Sequence, residues 1–394
     1  MPRPDTHHRT SAANHTPDSG SRSSVMGRPN SHTPVAHAPG SPALLPVLLV
    51  LFVGSGCAAL IYEIVWFQLL QLVIGSSAVS LGVLLGTFMG GMCLGSLALP
   101  RFVPANRHPL RVYAVLELGV GAIGIVALFG MPAVDHLYTA NAGHGLAGIA
   151  LRAVVCAACL LPPTLLMGAT LPAVARWVEA TPKGVSWLGF FYGGNIAGAV
   201  FGCLLAGFYL LPEYDMEAAT YTAATINASV AAIALGIAML TPHTLQSRNR
   251  EGAVAHSVTV AAPTGNTWPV YVAIALSGMS ALGAEVIWTR LLSLTLGATV
   301  YTFSIILAVF LVGLGIGSTV GSGLARGAVS PRLLLSGCQA LLAAAVAWAA
   351  LVLAKSLPYW PIEPTLSPSP WYNFQLDLVR CAWAVLPAAI LWGA

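Results

Sequence analysis

Gly56-Cys-Ala-Ala-Leu-Ile-Tyr-Glu63-Ile-Val-Trp66-Phe-Gln-Leu-Leu70-Gln-Leu-Val-Ile-Gly75 decides the fold, because the chain carries this stretch twice. The second copy, 222 residues later, reads Gly278-Met-Ser-Ala-Leu-Gly-Ala-Glu285-Val-Ile-Trp288-Thr-Arg-Leu-Leu292-Ser-Leu-Thr-Leu-Gly297. Both glycines, the glutamate, the tryptophan and the Leu-Leu pair keep register. Downstream, Phe88, Gly91, Gly95 and Ser96 fall on Phe310, Gly313, Gly317 and Ser318. Chance similarity between apolar segments would match leucines, not a glutamate and a tryptophan at fixed spacing. The expectation is a tandem duplication, and repeat period takes precedence in assigning architecture.

Composition sets the solvent. Of 394 residues, 57% are hydrophobic and 8% charged, against roughly a quarter charged in soluble domains. Mean hydropathy is +0.79. Apolar runs long enough to cross a hydrocarbon core of about 30 Å recur along most of the length. These features exclude an ordinary soluble enzyme and offer no surface for nucleic acid. The chain reads as an all-α polytopic membrane helical bundle.

Segments are expected at about 44–74, 76–99, 110–132, 147–175, 187–211 and 218–241, then at 268–296, 298–325, 332–354 and 375–394. Residues 1–43, rich in Pro, Ser, Thr and His, read as a disordered tail, and 242–267 as a polar linker between a first repeat (44–241) and a second (268–394). Thirteen of the seventeen basic residues fall in the tail and alternate loops, including Arg101, Arg107, Arg111, Arg176 and Lys183. The opposite loops hold Asp135, Glu213, Asp215 and Glu217, with Lys355, Glu363 and Asp377 in the last. The positive-inside rule then places the tail in the cytoplasm, with multi-pass insertion expected in a bacterial inner membrane. Six helices per repeat makes the two halves parallel, the arrangement of the major facilitator (MFS-like) class. Leu161-Pro-Pro-Thr-Leu-Leu-Met-Gly168-Ala169 corresponds to Leu386-Pro-Ala-Ala-Ile-Leu-Trp-Gly393-Ala394, so the second repeat, with about four helices, is expected to be truncated.

Acids inside spans are candidate sites, because a charge in the bilayer is costly. Glu63 and Glu285 lie about 17 residues along their helices, roughly 25 Å deep at 1.5 Å per residue. A parallel duplication puts them at equal depth on opposite halves, where two carboxylates would hold a polyamine or other cation, with Trp66 and Trp288 as neighbouring substrate contacts. The competing reading makes the tryptophans and Arg290 an interfacial anchor. Glu117, replaced by Gln339 in the second repeat, lies about seven residues into its helix. Asn195 sits at a matching depth, so a hydrogen bond between Glu117 and Asn195 is expected, as a polar network or a proton-coupling site. Few basic residues in the spans argue against an anionic substrate.

Other features have plainer readings. Gly86/Gly90, Gly91/Gly95, Gly198/Gly202 and Gly313/Gly317 are spaced for close helix packing. Pro162-Pro163 and Pro387 are expected to break their helices. Cys156-x-x-Cys159 sits mid-span without companion ligands and reads as packing. No metal and no cofactor are expected.

Three motifs together, Gly56…Glu63-x-x-Trp66, Met167-Gly-Ala-Thr-Leu-Pro172 and Tyr192-Gly-Gly-Asn195-Ile-Ala-Gly198-Ala-Val-Phe-Gly202-Cys-Leu-Leu-Ala-Gly207-Phe, resemble the spermidine-synthase-like membrane proteins, fused MFS/spermidine synthases, over residues 44–394. The resemblance implies a helical membrane region that precedes a soluble domain similar to polyamine aminopropyltransferases. No soluble segment here carries a Rossmann-like strand, Gly-rich turn and helix, so that domain would lie beyond Ala394 and aminopropyl transfer is not expected of this chain alone. Three functions are weighed. One is a membrane module that anchors or feeds an aminopropyltransferase-like domain or partner, the second a self-sufficient transporter of a small cationic or neutral solute, and the third a structural anchor. The partners expected are the bilayer and that soluble domain.

Overall fold

The computed structural model describes residues 44–104, 106–141, 145–179, 188–241, 268–325, 330–360 and 369–394. The expected tail and inter-repeat linker lie outside the described residues, as do Lys183, Arg326 and Glu363. Among the described residues there is no strand. Ten helices are long and apolar enough to cross a membrane, which makes this a multi-pass membrane protein.

In chain order the helices are α1 Leu45–Ile74, α2 Ala78–Phe102, α3 Pro109–Asn141, α4 Gly145–Glu179, α5 Leu188–Leu205, α6 Met216–Leu240, α7 Trp268–Leu296, α8 Val300–Ala325, α9 Pro331–Leu351 and α10 Pro370–Gly393. A π-helical turn at Ala206–Leu210 and a short helix, Leu211–Glu213, prolong α5. A second π turn, Val352–Ser356, prolongs α9. Two expected bounds shift by five residues or more. α3 runs nine residues past the expected 132, and α10 begins five residues early, so Asp377 belongs to a helix and not to a loop.

Prolines at 162, 163, 172 and 387 do not break their helices: α4 and α10 run on through them. Inside a bundle, neighbouring helices and hydroxyls help satisfy the disturbed backbone. Thr164, beside the proline pair, donates its hydroxyl to the Leu160 carbonyl at 2.6 Å.

One turn appears twice. α1 ends at Gly75 with φ 81°, α7 at Gly297 with φ 95°, a conformation glycine adopts without the Cβ penalty. Ser77 then caps α2 by accepting from the Ser80 amide at 3.1 Å, and Thr299 caps α8 by accepting from the Thr302 amide at 3.2 Å. The Ser80 hydroxyl reaches back to the Ile74 carbonyl at 3.2 Å, and that of Thr302 to the Leu296 carbonyl at 3.4 Å. Each atom pair is offset by 222 residues.

Close packing is repeated as well. A Cβ on Gly95 would meet the Leu165 carbonyl of α4, and one on Gly168 the Met92 carbonyl of α2. The same relation joins Gly317 to the Ile390 carbonyl and Gly393 to the Leu314 carbonyl, between α8 and α10. Lipid supplies no hydrophobic drive for helices to associate, so backbone approach at glycine carries the seam. α5 lies on α1 by the same device, with Gly198 over the Val53 carbonyl and Gly202 over that of Cys57. The Gly86/Gly90 pair is different: nothing lies within 4 Å of either Cβ position, so these two do not pack a helix.

Ties at the helix ends fix direction. Arg176, late in α4, donates to the Val103 carbonyl at the end of α2. His108, before α3, contacts the Thr241 carbonyl after α6 at 3.0 Å. Arg290, in the last two turns of α7, donates to Ser76, which follows α1, at 2.8 Å. The C-terminal ends of α1 and α7 therefore lie on the same side.

Candidate functional site

The two groups of helices meet where α5 packs on α8. Small residues make that approach possible: Gly207 lies over the Ser304 side chain, and Gly315 over Ile196. Phe67 of α1 stacks on Phe303 of α8, with centroids 4.3 Å apart and planes 5° from parallel. Cys203 of α5 donates its thiol to the Ser304 carbonyl at 3.2 Å. The π turn of α5 begins three residues later, a feature that tends to occur at functional positions in helices.

Glu63 and Glu285 are both buried in this region, at 4% and 2% exposure. Glu63 stands one turn before Phe67, which stacks on Phe303, and Glu285 five residues before Arg290, which reaches Ser76. Glu63 Oε1, Glu285 Oε1, Ser304 Oγ and Thr289 Oγ1 are buried with no hydrogen-bond partner among the described residues. Buried polar atoms are normally paired, and an unpaired carboxylate oxygen in an apolar setting is among the least favourable groups to leave so. These atoms lie on α1, α7 and α8, and the two carboxylate oxygens among them suit a ligand with N–H donors.

Trp66 and Trp288 pack inside the bundle, at 2% and 4% exposure, so they do not form the lipid-facing belt of the anchor reading. Trp66 stacks on Tyr62 at 4.9 Å, and Trp288 lies against Trp392 at 5.5 Å. Both are supports one turn from the acids. Arg290 holds the α1–α2 turn through the Ser76 carbonyl.

Glu117 and Asn195 do not bond to each other. Glu117 accepts from the Ser55 hydroxyl of α1 at 2.6 Å, while Asn195 donates to the Phe52 carbonyl of α1 at 3.3 Å. Each instead finds one partner on α1, which runs between their helices. They do line one cavity of about 360 Å³, with Ser55, Asn227 and Tyr192. Gln339 lies elsewhere, in a cavity of about 800 Å³ that also holds Glu285, Gly86, Gly90 and Gly278. The open glycines of α2 thus form a cavity wall. Ser277, Ala281, Leu314, Gln339 and Trp392 of the larger cavity stand 222 to 225 residues after Ser55, Ala59, Met92, Glu117 and Met167 of the smaller.

Several buried polar groups were not singled out from sequence. Asn227 of α6 donates to the Glu117 carbonyl at 3.3 Å; a carboxamide in an apolar run was the available signal. Asp377 and Arg380 form a buried ion pair at 3.3 Å, and Tyr301 donates to the same aspartate at 3.2 Å. With Asp377 read as a loop residue, its i,i+3 relation to Arg380 had no helix to lie on. Arg152, in α4, donates to the Tyr138 hydroxyl at 3.3 Å. Basic residues in the spans are therefore present, and the argument against an anion from their scarcity does not hold. Among the described residues no group of His, Cys, Asp or Glu is arranged to hold a metal ion, and Cys156 and Cys159 are free thiols.

No family model matches the chain. Over 194 residues it is 28% identical to polyamine aminopropyltransferase 1 of Streptomyces coelicolor, an alignment covering 49% of this chain and 33% of that protein. The chain thus matches about a third of the length of this curated relative.

Proposed function

We propose that the chain is the membrane module of a protein related to polyamine aminopropyltransferases, and that it holds a polyamine cation between Glu63 and Glu285. The observation that supports the reading is a buried acid in each helix group, Glu63 on α1 and Glu285 on α7, each with an unpartnered oxygen. A charge placed inside a membrane is costly unless it meets an opposite charge, and an ammonium group brings both charge and three N–H donors. The similarity to an aminopropyltransferase favours a polyamine over other cations.

The same reading makes the chain a tandem duplication with parallel, MFS-like halves. It is supported by the twice-built Gly-Ser/Thr turn, by the matched α2–α4 and α8–α10 seams, and by α1 and α7 ending on one side. In such an arrangement a two-fold axis passes near the acid pair, so both halves contribute equally to the site, as midplane sites in repeat-built transporters do. A soluble aminopropyltransferase-like partner would receive or supply the amine.

The deciding experiment is binding and uptake of labelled spermidine by proteoliposomes holding the protein, compared with Glu63→Gln, Glu285→Gln and the double variant. Each single change is expected to weaken binding about tenfold, equivalent to roughly 1.4 kcal/mol, and the double change to abolish uptake. Unchanged uptake by the double variant would remove these acids from the function.

A further inference from the structure

The cavity lined by Glu117 belongs wholly to α1–α6 and plays no part in the Glu63–Glu285 reading. We propose that it is a second and separate binding site, selective for the ammonium head of an unbranched primary amine. Its volume, about 360 Å³, lies at the small end of small-molecule pockets.

The donor and acceptor pattern leads to that ligand. Glu117 is 1% exposed and accepts on Oε1 from the Ser55 hydroxyl at 2.6 Å, with the Tyr113 hydroxyl beside its carboxylate. The Asn227 amide nitrogen is committed to the Glu117 carbonyl, and its Oδ1 is buried without a partner among the described residues. Asn195 likewise commits its nitrogen to a backbone carbonyl, that of Phe52. Each amide thus gives one N–H to the backbone and keeps its oxygen in reserve. The polar wall is mainly acceptor, one carboxylate and two amide oxygens, beside the second N–H of each amide and the Tyr192 phenol.

The carboxylate and the two amide oxygens favour a ligand that donates and is positive. A primary ammonium has three donors, no acceptor and one charge. An alcohol lacks the charge, and a quaternary ammonium lacks the donors. The remaining wall is apolar, with Met89, Met92, Val120 and Met167, and unbranched, polarisable methionine side chains adapt to an alkyl tail. Access runs past Leu171 of α4 and Tyr192 of α5, which are 36% and 44% exposed. In the larger cavity, lined by α2 together with the second helix group, Gln339 stands 222 residues after Glu117, so the charge that selects a cation at this position is confined to one of the two.

Thermal unfolding and calorimetry of the full chain in detergent at pH 7, with n-butylammonium as probe, test the site. A saturable rise in unfolding midpoint is expected with n-butylammonium and not with n-butanol or tetramethylammonium, since only a ligand bound by the folded state stabilises it. Glu117→Gln is expected to weaken binding at least about tenfold. Leu171→Trp narrows the entrance without touching a hydrogen bond of the site and is expected to weaken binding too, whereas Glu213→Gln, at an exposed acid outside the cavity, should leave it unchanged. Equal stabilisation by n-butanol, no saturable effect of n-butylammonium, or full affinity in Glu117→Gln would overturn the proposal. Should Glu117→Gln fail to fold, Leu171→Trp decides, and unaltered affinity there refutes the site.

Discussion

Gly95→Ala and Gly86→Ala are the same chemical change on the same helix, nine residues apart, with opposite expected results. In each, alanine replaces the ordinary residue of lowest helix propensity and gains about 0.8–1 kcal/mol of intrinsic preference. At Gly86 the new Cβ has nothing within 4 Å, so that gain stands alone and the variant should be stabilised by about 0.5–1 kcal/mol. At Gly95 the Cβ falls on the Leu165 carbonyl, with the carbonyl carbon and Cα of Leu165 at 2.8 and 2.9 Å. That obstacle is helix backbone, which cannot rotate aside as a side chain would, so α2 and α4 must separate along their seam. Overpacking of this kind costs about 2–3 kcal/mol, toward the upper part of its usual range, and leaves Gly95→Ala about 1–2 kcal/mol less stable than the parent. Equilibrium unfolding in mixed micelles with increasing SDS measures both. Stabilities within about 0.5 kcal/mol of each other, inside the error of additive comparisons, would refute the claim that glycine contact holds this seam.

Two further perturbations probe the junction and the second helix group, alongside the spermidine and n-butylammonium experiments above. A double-mutant cycle on Phe67→Ala and Phe303→Ala should give a coupling of about 0.5–1.5 kcal/mol, because the rings stack directly across the junction; zero coupling in SDS unfolding would mean the groups are held by other contacts. Asp377→Leu should destabilise by about 3 kcal/mol by leaving Arg380 buried beside an apolar side chain, while Asp377→Leu with Arg380→Met should recover most of that loss. A double variant no better than the single one would show that Arg380 draws little from its ion pair.

Helix number, and with it the multi-pass architecture, was legible because hydrocarbon imposes a length and a composition on every span. A 222-residue spacing between like residues could be read from the chain as well, and the capped turns after α1 and α7 stand at that spacing. Boundaries were less so. α10 begins five residues early because Trp371, Tyr372 and Asn373 lower the local hydropathy without stopping a helix that Ser369 caps. Glycine spacing misled at Gly86 and Gly90: four-residue spacing says that a backbone can come close, and only the arrangement of neighbours says whether one does. Pro162, Pro163 and Pro387 misled for a related reason, since proline removes one donor and bends a helix but cannot end one held by packing on both sides.

The sequence by itself determined the solvent, the number of helices and the identity of the scarce buried charges, because each of these depends on residue type at a position along one chain. Tertiary structure alone decided the company those charges keep. Glu117 and Asn195 share a cavity without touching because α1 supplies a partner to each. Arg290 of α7 reaches the Ser76 carbonyl beyond the end of α1 across 214 residues of chain. Hydrogen bonds and charges act over a few ångströms in space, and chain distances of more than two hundred residues hold no record of that separation.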